Sequence, residues 1–314
     1  MSDLPTDMSP LARRLVVGEA AALARSITAV ENETQEGAAI LASVQQHLGR
    51  ALVLGITGPP GAGKSTLTGA LITELRGRGR RVAVLAVDPT SPISGGAILG
   101  DRIRMSEHSA DPGVFVRSVA SRGHLGGLSP TATRVIDLMD AGGNDTVIVE
   151  TVGAGQSEVE VAQIADVNVV ICAPGAGDDI QAIKAGILEV ADILVVNKAD
   201  QPLAANAASQ MRNMVALRDG DASDVPVLLT VATQGDGVPE LLDTIEARRA
   251  GDDPEARGVR IRARTRRQLA EAVARDVAGF VGAGSDPAIE KLCTEFQLGR
   301  LSLDEAVRRA RALI

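Results

Sequence analysis

Between residues 10 and 49 apolar positions recur at helical spacing, broken by Gly18 and by no proline after Pro10. The spacing predicts two helices, about Pro10–Ala29 and Glu33–Leu48. The pattern then changes to short continuous apolar runs. These are Ala51–Thr57 (ALVLGIT), Arg81–Val87 (RVAVLAV), Thr146–Thr151 (TVIVET), Asn168–Ala173 (NVVICA), Ile193–Val196 (ILVV) and Val227–Val231 (VLLTV). A run without polar alternation is what a strand looks like when both faces of its sheet are covered. Such runs, separated by helical stretches, predict an α/β domain whose mainly parallel sheet is flanked by helices. From about Gly251 the runs stop, and Thr265–Val281, Pro287–Phe296 and Ser302–Leu313 predict helices. The expected organisation is an N-terminal helical extension (residues 1–50), an α/β domain (51–250) and a C-terminal helical arm (251–314).

Composition narrows the function classes. The 314 residues are 45% hydrophobic and 23% charged, which fits a globular chain and not a disordered one. A net charge of −8, no Trp, no Tyr and three Phe argue against nucleic acid as a partner, since neither a basic field nor base-stacking rings are supplied. Cys172 and Cys293 lie far apart with no CxxC, and three scattered His make no zinc or nickel cluster. This cysteine usage points to a reducing compartment. No apolar run reaches the roughly 18 residues of a membrane span. The acidic start, MSDLPTDMSP, lacks a signal-peptide core. The expectation is a cytoplasmic protein with no membrane partner.

The strongest chemical signal is Gly58-Pro59-Pro60-Gly61-Ala62-Gly63-Lys64-Ser65-Thr66, which matches GxxxxGK[ST] between a predicted strand and a predicted helix, Ser65–Leu75. In this P-loop pattern the glycines let backbone N–H groups close around phosphate oxygens, and the helix N-terminus adds its positive dipole end. Lys64 then reaches the β- and γ-phosphates, and the Ser65 hydroxyl is a ligand for Mg²⁺. The fold class follows: a P-loop NTPase.

Asn197-Lys198-Ala199-Asp200 ends the run ILVV and has the NKxD form that reads guanine. A carboxylate at Asp200 accepts from both N1–H and the exocyclic amine of guanine. Adenine presents neither donor in that arrangement, and a hydrogen-bonding site left unpaired rejects the wrong base strongly. Asn197 braces the loop and Lys198 lies over the base. Glu150-Thr-Val-Gly153 ends another strand, where a DxxG element would contact Mg²⁺ and the γ-phosphate, with Glu in place of Asp. A longer carboxylate acting through coordinated water suits magnesium. Asp88, in VDP, and Asp101, in the loop SGGAILGD, are further candidates for the same ion.

At this point a family resemblance is specific. The strings VDPTSPISGGAILGDRIRM (87–105), VETVGAGQSE (149–158), PGAGDDIQAIKAGILEVAD (174–192) and NKAD resemble those of the MeaB/MMAA family, whose bacterial members also carry the older ArgK transport-ATPase label. The resemblance runs over nearly the whole chain and is densest between residues 51 and 200. It implies GTP, GDP and Mg²⁺ as ligands and a low intrinsic GTPase rate. It also implies a chaperone role that gates cofactor loading and protects an adenosylcobalamin-dependent methylmalonyl-CoA mutase, or a related acyl-CoA mutase. By the same resemblance residues 88–105 and 150–158 are switches, 174–184 couples nucleotide state to the mutase, and the C-terminal arm forms a homodimer. Two departures from small GTPases stand out. The guanine-closing loop reads Val231-Ala232-Thr233, where the Ala232 N–H is the expected donor to guanine O6, and Gly153 is followed by Ala154 rather than Gln. Gln156 is the remaining candidate to orient water, so Lys64, Asp101 and Gln156 are the expected catalytic set. The alternative function is a P-loop kinase or ATPase linked to basic amino-acid transport, which NKAD disfavours. Six Arg between Arg257 and Arg267 read as a solvated helix entry or a docking patch, and Cys172 as a buried small hydrophobe.

Overall fold

The computed structural model describes residues 8–88, 108, 110–120, 130–151, 161–162, 164–175, 189–216, 225–250, 254–284 and 286–313. The chain divides into two compact units, Met1–Arg260 and Ile261–Ile314.

In the first unit, α1 (Pro10–Val16) starts where the Ser9 side chain accepts from Ala12 N and Pro10 occupies a position that needs no N–H. Gly18, at φ +91°, stops it in the left-handed region a helix terminus favours. The chain resumes as α2 (Ala20–Glu31) and α3 (Gln35–Ser43), followed by a 3₁₀ turn at Gln45–His47. The two expected N-terminal helices are therefore three, because Gly18 divides the first. Gly37 lets α3 close on α2: a Cβ there would stand 2.6 Å from Ala29 O.

Seven strands form one sheet in the order β3-β2-β4-β1-β5-β6-β7, every adjacent pair parallel. They are β1 (Leu52–Thr57), β2 (Val82–Asp88), β3 (Val114–Ala120), β4 (Thr146–Thr151), β5 (Val167–Cys172), β6 (Ile193–Asn197) and β7 (Val227–Thr230). Six coincide with the apolar runs to within a residue. The seventh, β3, was not expected: VFVRSVA is an edge strand only half covered, and Arg117 and Ser118 interrupt its apolar run.

Side chains alternate across the sheet with the period of two that pleating imposes. Leu52, Leu54 and Ile56 of β1 face α4 (Lys64–Gly77) and a helix near residue 242, while Val53 faces the opposite layer. That opposite layer holds α1, α2, α3 and α5 (Pro130–Ala141) on Ala83, Leu85, Val147 and Val149. The N-terminal helices thus share one apolar core with the sheet. Beyond β5 and β6, α6 (Ala204–Ala216) buries Ala207, Ala208 and Met211 on Val170, Cys172 and Leu194. Cys172 is fully buried, its Sγ 3.6 Å from Met211 Sδ, as expected of a small hydrophobe. The helix near residue 242 is α7 (Val238–Ala250), clamped to the end of α4 by Arg78 on Asp243 and Glu246. The buried carboxylate of Asp140 on α5 accepts from the N–H groups of Gly49, Arg50 and Ala51, fixing the entry into β1.

In α8 (Pro254–Gly282) the helix begins well before the expected Thr265, so the arginine-rich stretch lies within a helix rather than at its entry. Of the second unit, α9 (Pro287–Gln297) is capped by Asp286 and α10 (Leu303–Arg311) by Ser302, each side chain accepting a first-turn N–H. Ile289 is buried, whereas Leu269, Val273, Phe296, Leu303 and Val307 are exposed. Among the described residues no helix is long and apolar enough to cross a membrane.

Candidate nucleotide site

The site forms where three parallel strands, β1, β4 and β6, deliver their C-terminal ends to one edge of the sheet, the edge at which open α/β folds bind ligands. After β1 the chain turns through Gly58–Gly63 into α4, which begins at Lys64, one residue before the sequence predicts. Two glycines in this loop are sterically required. A Cβ on Gly58, at φ +145°, would stand 2.1 Å from Ile171 O, and one on Gly63, at φ +92°, would stand 2.4 Å from Asn197 Nδ2. No side chain caps the first turn of α4, which leaves its amides facing the loop, the arrangement that receives phosphate. Lys64 is buried, and its Nζ donates to Gly58 O at 2.8 Å and Pro59 O at 3.1 Å. Its ammonium is therefore held against the loop from the inside.

Glu150 lies opposite Ile56 in the β1–β4 register and is almost fully buried. From there its Oε1 accepts from Ser65 Oγ at 2.6 Å. Two of the expected magnesium ligands are thus in direct contact, although 85 residues separate them. Hard oxygen donors of this kind suit a small divalent cation that retains several waters, so the pair fits Mg²⁺. Asp88 ends β2, two strands from β1. Its side chain lies outside the described residues, as do Asp101, Gly153 and Gln156 and most of the two expected switch segments.

Asn197 ties the site together. Its Nδ2 donates to Ala62 O in the P-loop at 3.0 Å, and its Oδ1 accepts from Thr230 Oγ1 and Ala232 N, both at 3.1 Å. Lys198, at φ +57°, turns its side chain back so that Nζ donates to Gly61 O at 2.8 Å. Asp200, by contrast, is exposed at the start of the following turn. The P-loop and the expected base-reading loop are therefore one hydrogen-bonded assembly. One expectation changes in detail: the Ala232 N–H is given to Asn197, so offering it to a guanine O6 requires sharing or exchanging that bond. Thr230 was not singled out from the sequence. Its only signal there is a hydroxyl at the end of an apolar run, and its pairing with Asn197 in the β6–β7 register is not visible in one dimension.

Between α4 and the loop after β7 lies a cleft of about 510 Å³. Ser65 and Thr66 line one end, Ala232 and Thr233 another, so the cleft joins the two halves of the assembly.

Residues 23–296 match the family model described as methylmalonyl-CoA mutase-associated GTPase MeaB. A Pyrococcus abyssi protein named as a GTPase is 43% identical over 285 residues, 90% of this chain and 87% of that one. The mouse methylmalonic aciduria type A homolog, a mitochondrial protein, is 39% identical over 253 residues, 74% of this chain and 60% of that one. The crystal structure of a LAO/AO transport system kinase superposes with a TM-score of 0.70 at 28% identity, covering 99% of both chains. The motifs, the parallel P-loop fold and these likenesses agree: the chain belongs to the MeaB family of methylmalonyl-CoA mutase-associated GTPases.

Proposed function

We propose that this chain uses GTP binding and hydrolysis to gate cofactor loading and to protect an adenosylcobalamin-dependent acyl-CoA mutase, with methylmalonyl-CoA mutase the first candidate. The observation that carries the guanine part is the seating of Asn197 between Ala62 O of the phosphate loop and the Thr230–Ala232 segment. Base and phosphates are then read by one connected unit, so either end can report on the other. In this reading the backbone amides of Gly58–Thr66 and Lys64 receive the phosphates, and Asp200 takes the two guanine donors. Ser65 and Glu150, with Asp88 and Asp101 as further candidates, hold Mg²⁺, which when bound offsets phosphate charge. Lys64 balances the charge that develops as the β–γ bridge breaks. Gln156 orients the attacking water, and without a dedicated Gln after Gly153 the intrinsic rate is low and raised by the partner. Support for the mutase role comes from the family description and from the disease-linked name of the mouse relative. The chain works in the cytoplasm as a homodimer formed through residues 251–314, with no nucleic acid involved. Asp200 disfavours the transport-kinase reading, because adenine offers no donor pair to a carboxylate at that position.

The test is to mix the full-length chain with adenosylcobalamin-dependent methylmalonyl-CoA mutase and measure GTP turnover and complex formation in GTP and in GDP. Turnover should rise on addition of the mutase, and the affinity of the pair should depend on the nucleotide. Identical turnover with no complex in either nucleotide sinks the mutase assignment, while a preference for ATP over GTP sinks the guanine assignment.

A further inference from the structure

The cleft beside the P-loop has chemistry that the phosphate and base contacts leave unused. A nucleotide whose phosphates meet Ser65 and Thr66 and whose base meets Ala232 and Thr233 must carry its sugar across the space between them. The remaining wall is polar: Thr73 and Glu74 on α4, His108, and Gln234. Gly69 leaves this wall open, since a Cβ there would have His108 Nε2 as its nearest neighbour at 3.9 Å. The Gly69 carbonyl accepts from Thr73 Oγ1 at 3.1 Å and lies 3.2 Å from His108 Nε2. A carbonyl only accepts, so the ring nitrogen facing it carries the proton and Nδ1 is left as an acceptor. Thr73 Oγ1, its proton likewise committed to Gly69 O, presents lone pairs. Glu74 gives one oxygen to Arg78 Nε at 2.9 Å and retains the other. The Ser65–Thr66 end thus lies at the positive end of the α4 dipole, and the wall presents acceptors on Thr73, His108 and Glu74 beside the Gln234 amide. The first suits phosphate and the second suits hydroxyl donors.

The geometry points to His108 and Thr73 as a specificity-determining pair that accepts from the ribose 2′- and 3′-hydroxyls of the guanine nucleotide. The cis-diol offers two donors to the acceptors that Thr73 and His108 present. His108 is also pinned from the other side: the Asp111 N–H donates to its carbonyl at 3.1 Å, and Asp111 itself grips Arg76 on α4 at 2.8 Å. The imidazole is therefore positioned by α4, the same helix that begins at Lys64. This inference rests on the guanine-nucleotide reading and adds to it a selection for ribonucleotide over deoxyribonucleotide.

The experiment measures equilibrium binding of GTP, 2′-deoxy-GTP, 3′-deoxy-GTP and ATP to the full-length protein and to His108→Ala and Thr73→Val. A net hydrogen bond to a neutral acceptor corresponds to about a three- to tenfold change in affinity. Wild-type protein should bind at least one deoxy analogue weaker than GTP by about that factor. His108→Ala or Thr73→Val should bring the ratio for that analogue to about one, chiefly by weakening GTP. Equal binding of all three guanine nucleotides by wild type, or a ratio that survives both substitutions, overturns the assignment. The ATP arm separates the two levels. Loss of preference for GTP over ATP in wild type would remove the guanine reading itself, whereas retained preference without sugar discrimination removes only the His108–Thr73 assignment.

Discussion

Ser65 Oγ and Glu150 Oε1 stand 2.6 Å apart, the hydroxyl at the first turn of α4 and the carboxylate at the end of β4. The contact exists because β1 and β4 are neighbours in register, with Ile56 beside Glu150, and because the P-loop returns the chain over the ends of both strands. It couples a P-loop residue to the start of the second expected switch. Glu150→Gln keeps an acceptor for Ser65 while removing the negative charge. The magnesium concentration that half-saturates GTP hydrolysis should then rise about tenfold, a difference of about 1.4 kcal/mol. A magnesium titration of the variant against wild type checks it, and superimposable curves would remove Glu150 from the metal site.

In the proposed function Asp200 decides the base. Asp200→Asn turns one accepting oxygen into a donor facing the guanine exocyclic amine, where xanthine instead offers an acceptor. GTP affinity should fall at least about tenfold and XTP affinity should increase. Competition binding with the two nucleotides reads the exchange directly, and a variant that binds GTP as tightly as wild type contradicts the role given to this residue.

Asn197 makes three hydrogen bonds from a side chain only 2% exposed. Asn197→Ala leaves Ala62 O, Thr230 Oγ1 and Ala232 N without this partner, at a cost of about 2–4 kcal/mol. Denaturant melts should show the loss without nucleotide, and GTP should restore less stability than it gives wild type. A variant of wild-type stability would mean that the two loops are held together by something else.

The Arg76 guanidinium, bonded to both oxygens of Asp111, holds that carboxyl below its ordinary value of 3.8, helped by the N–H of Gly113. A carboxyl with a depressed folded-state pKa stabilises the fold above its unfolded pKa, and the contribution fades as pH falls through the folded value. The difference in stability between wild type and Arg76→Ala should therefore be constant near neutrality and shrink below about pH 4. Thermal melts across that range measure it, and a gap that stays the same at acid pH would show that Asp111 does not carry the effect.

Much of this architecture is legible in one dimension, for a physical reason. Strands covered on both faces read as unbroken apolar runs, and phosphate and guanine recognition use short contiguous strings, so β1, the P-loop and Asn197–Asp200 need no tertiary information. What escapes is whatever depends on neighbours distant in sequence. β3 is hidden because an edge strand tolerates Arg117, which pairs with Glu31 of α2. Asp140 reads as an ordinary helix carboxylate until the N–H groups of Gly49, Arg50 and Ala51 are seen to converge on it. The break at Gly18 was visible as a glycine, but its positive φ was not. Thr230 and His108 act through contacts with Asn197 and Gly69, and no local pattern announces either.

The exposed apolar side chains of α8 bear on assembly. Leu269 is 64% exposed and Val273 53%, one helical turn apart on the same face of α8. Isolated exposed leucines need no explanation, but a pair at helical spacing on α8, with Leu303 and Val307 also exposed on α10, leaves apolar side chains in water. Closed two-fold pairing is the commonest way for a soluble chain to cover such area, and the homodimer proposed above accounts for it. Full-length protein at micromolar concentration should therefore scatter light as a dimer. Leu269→Glu combined with Val273→Glu should shift it to monomer, because burying two carboxylates without partners costs several kcal/mol. Nucleotide affinity should persist in that variant, since Gly58–Thr66 and Asn197–Asp200 belong to the other unit. A wild-type monomer, or a double variant that stays dimeric, would overturn this assignment, and loss of GTP binding together with the dimer would show that the nucleotide site depends on the second copy.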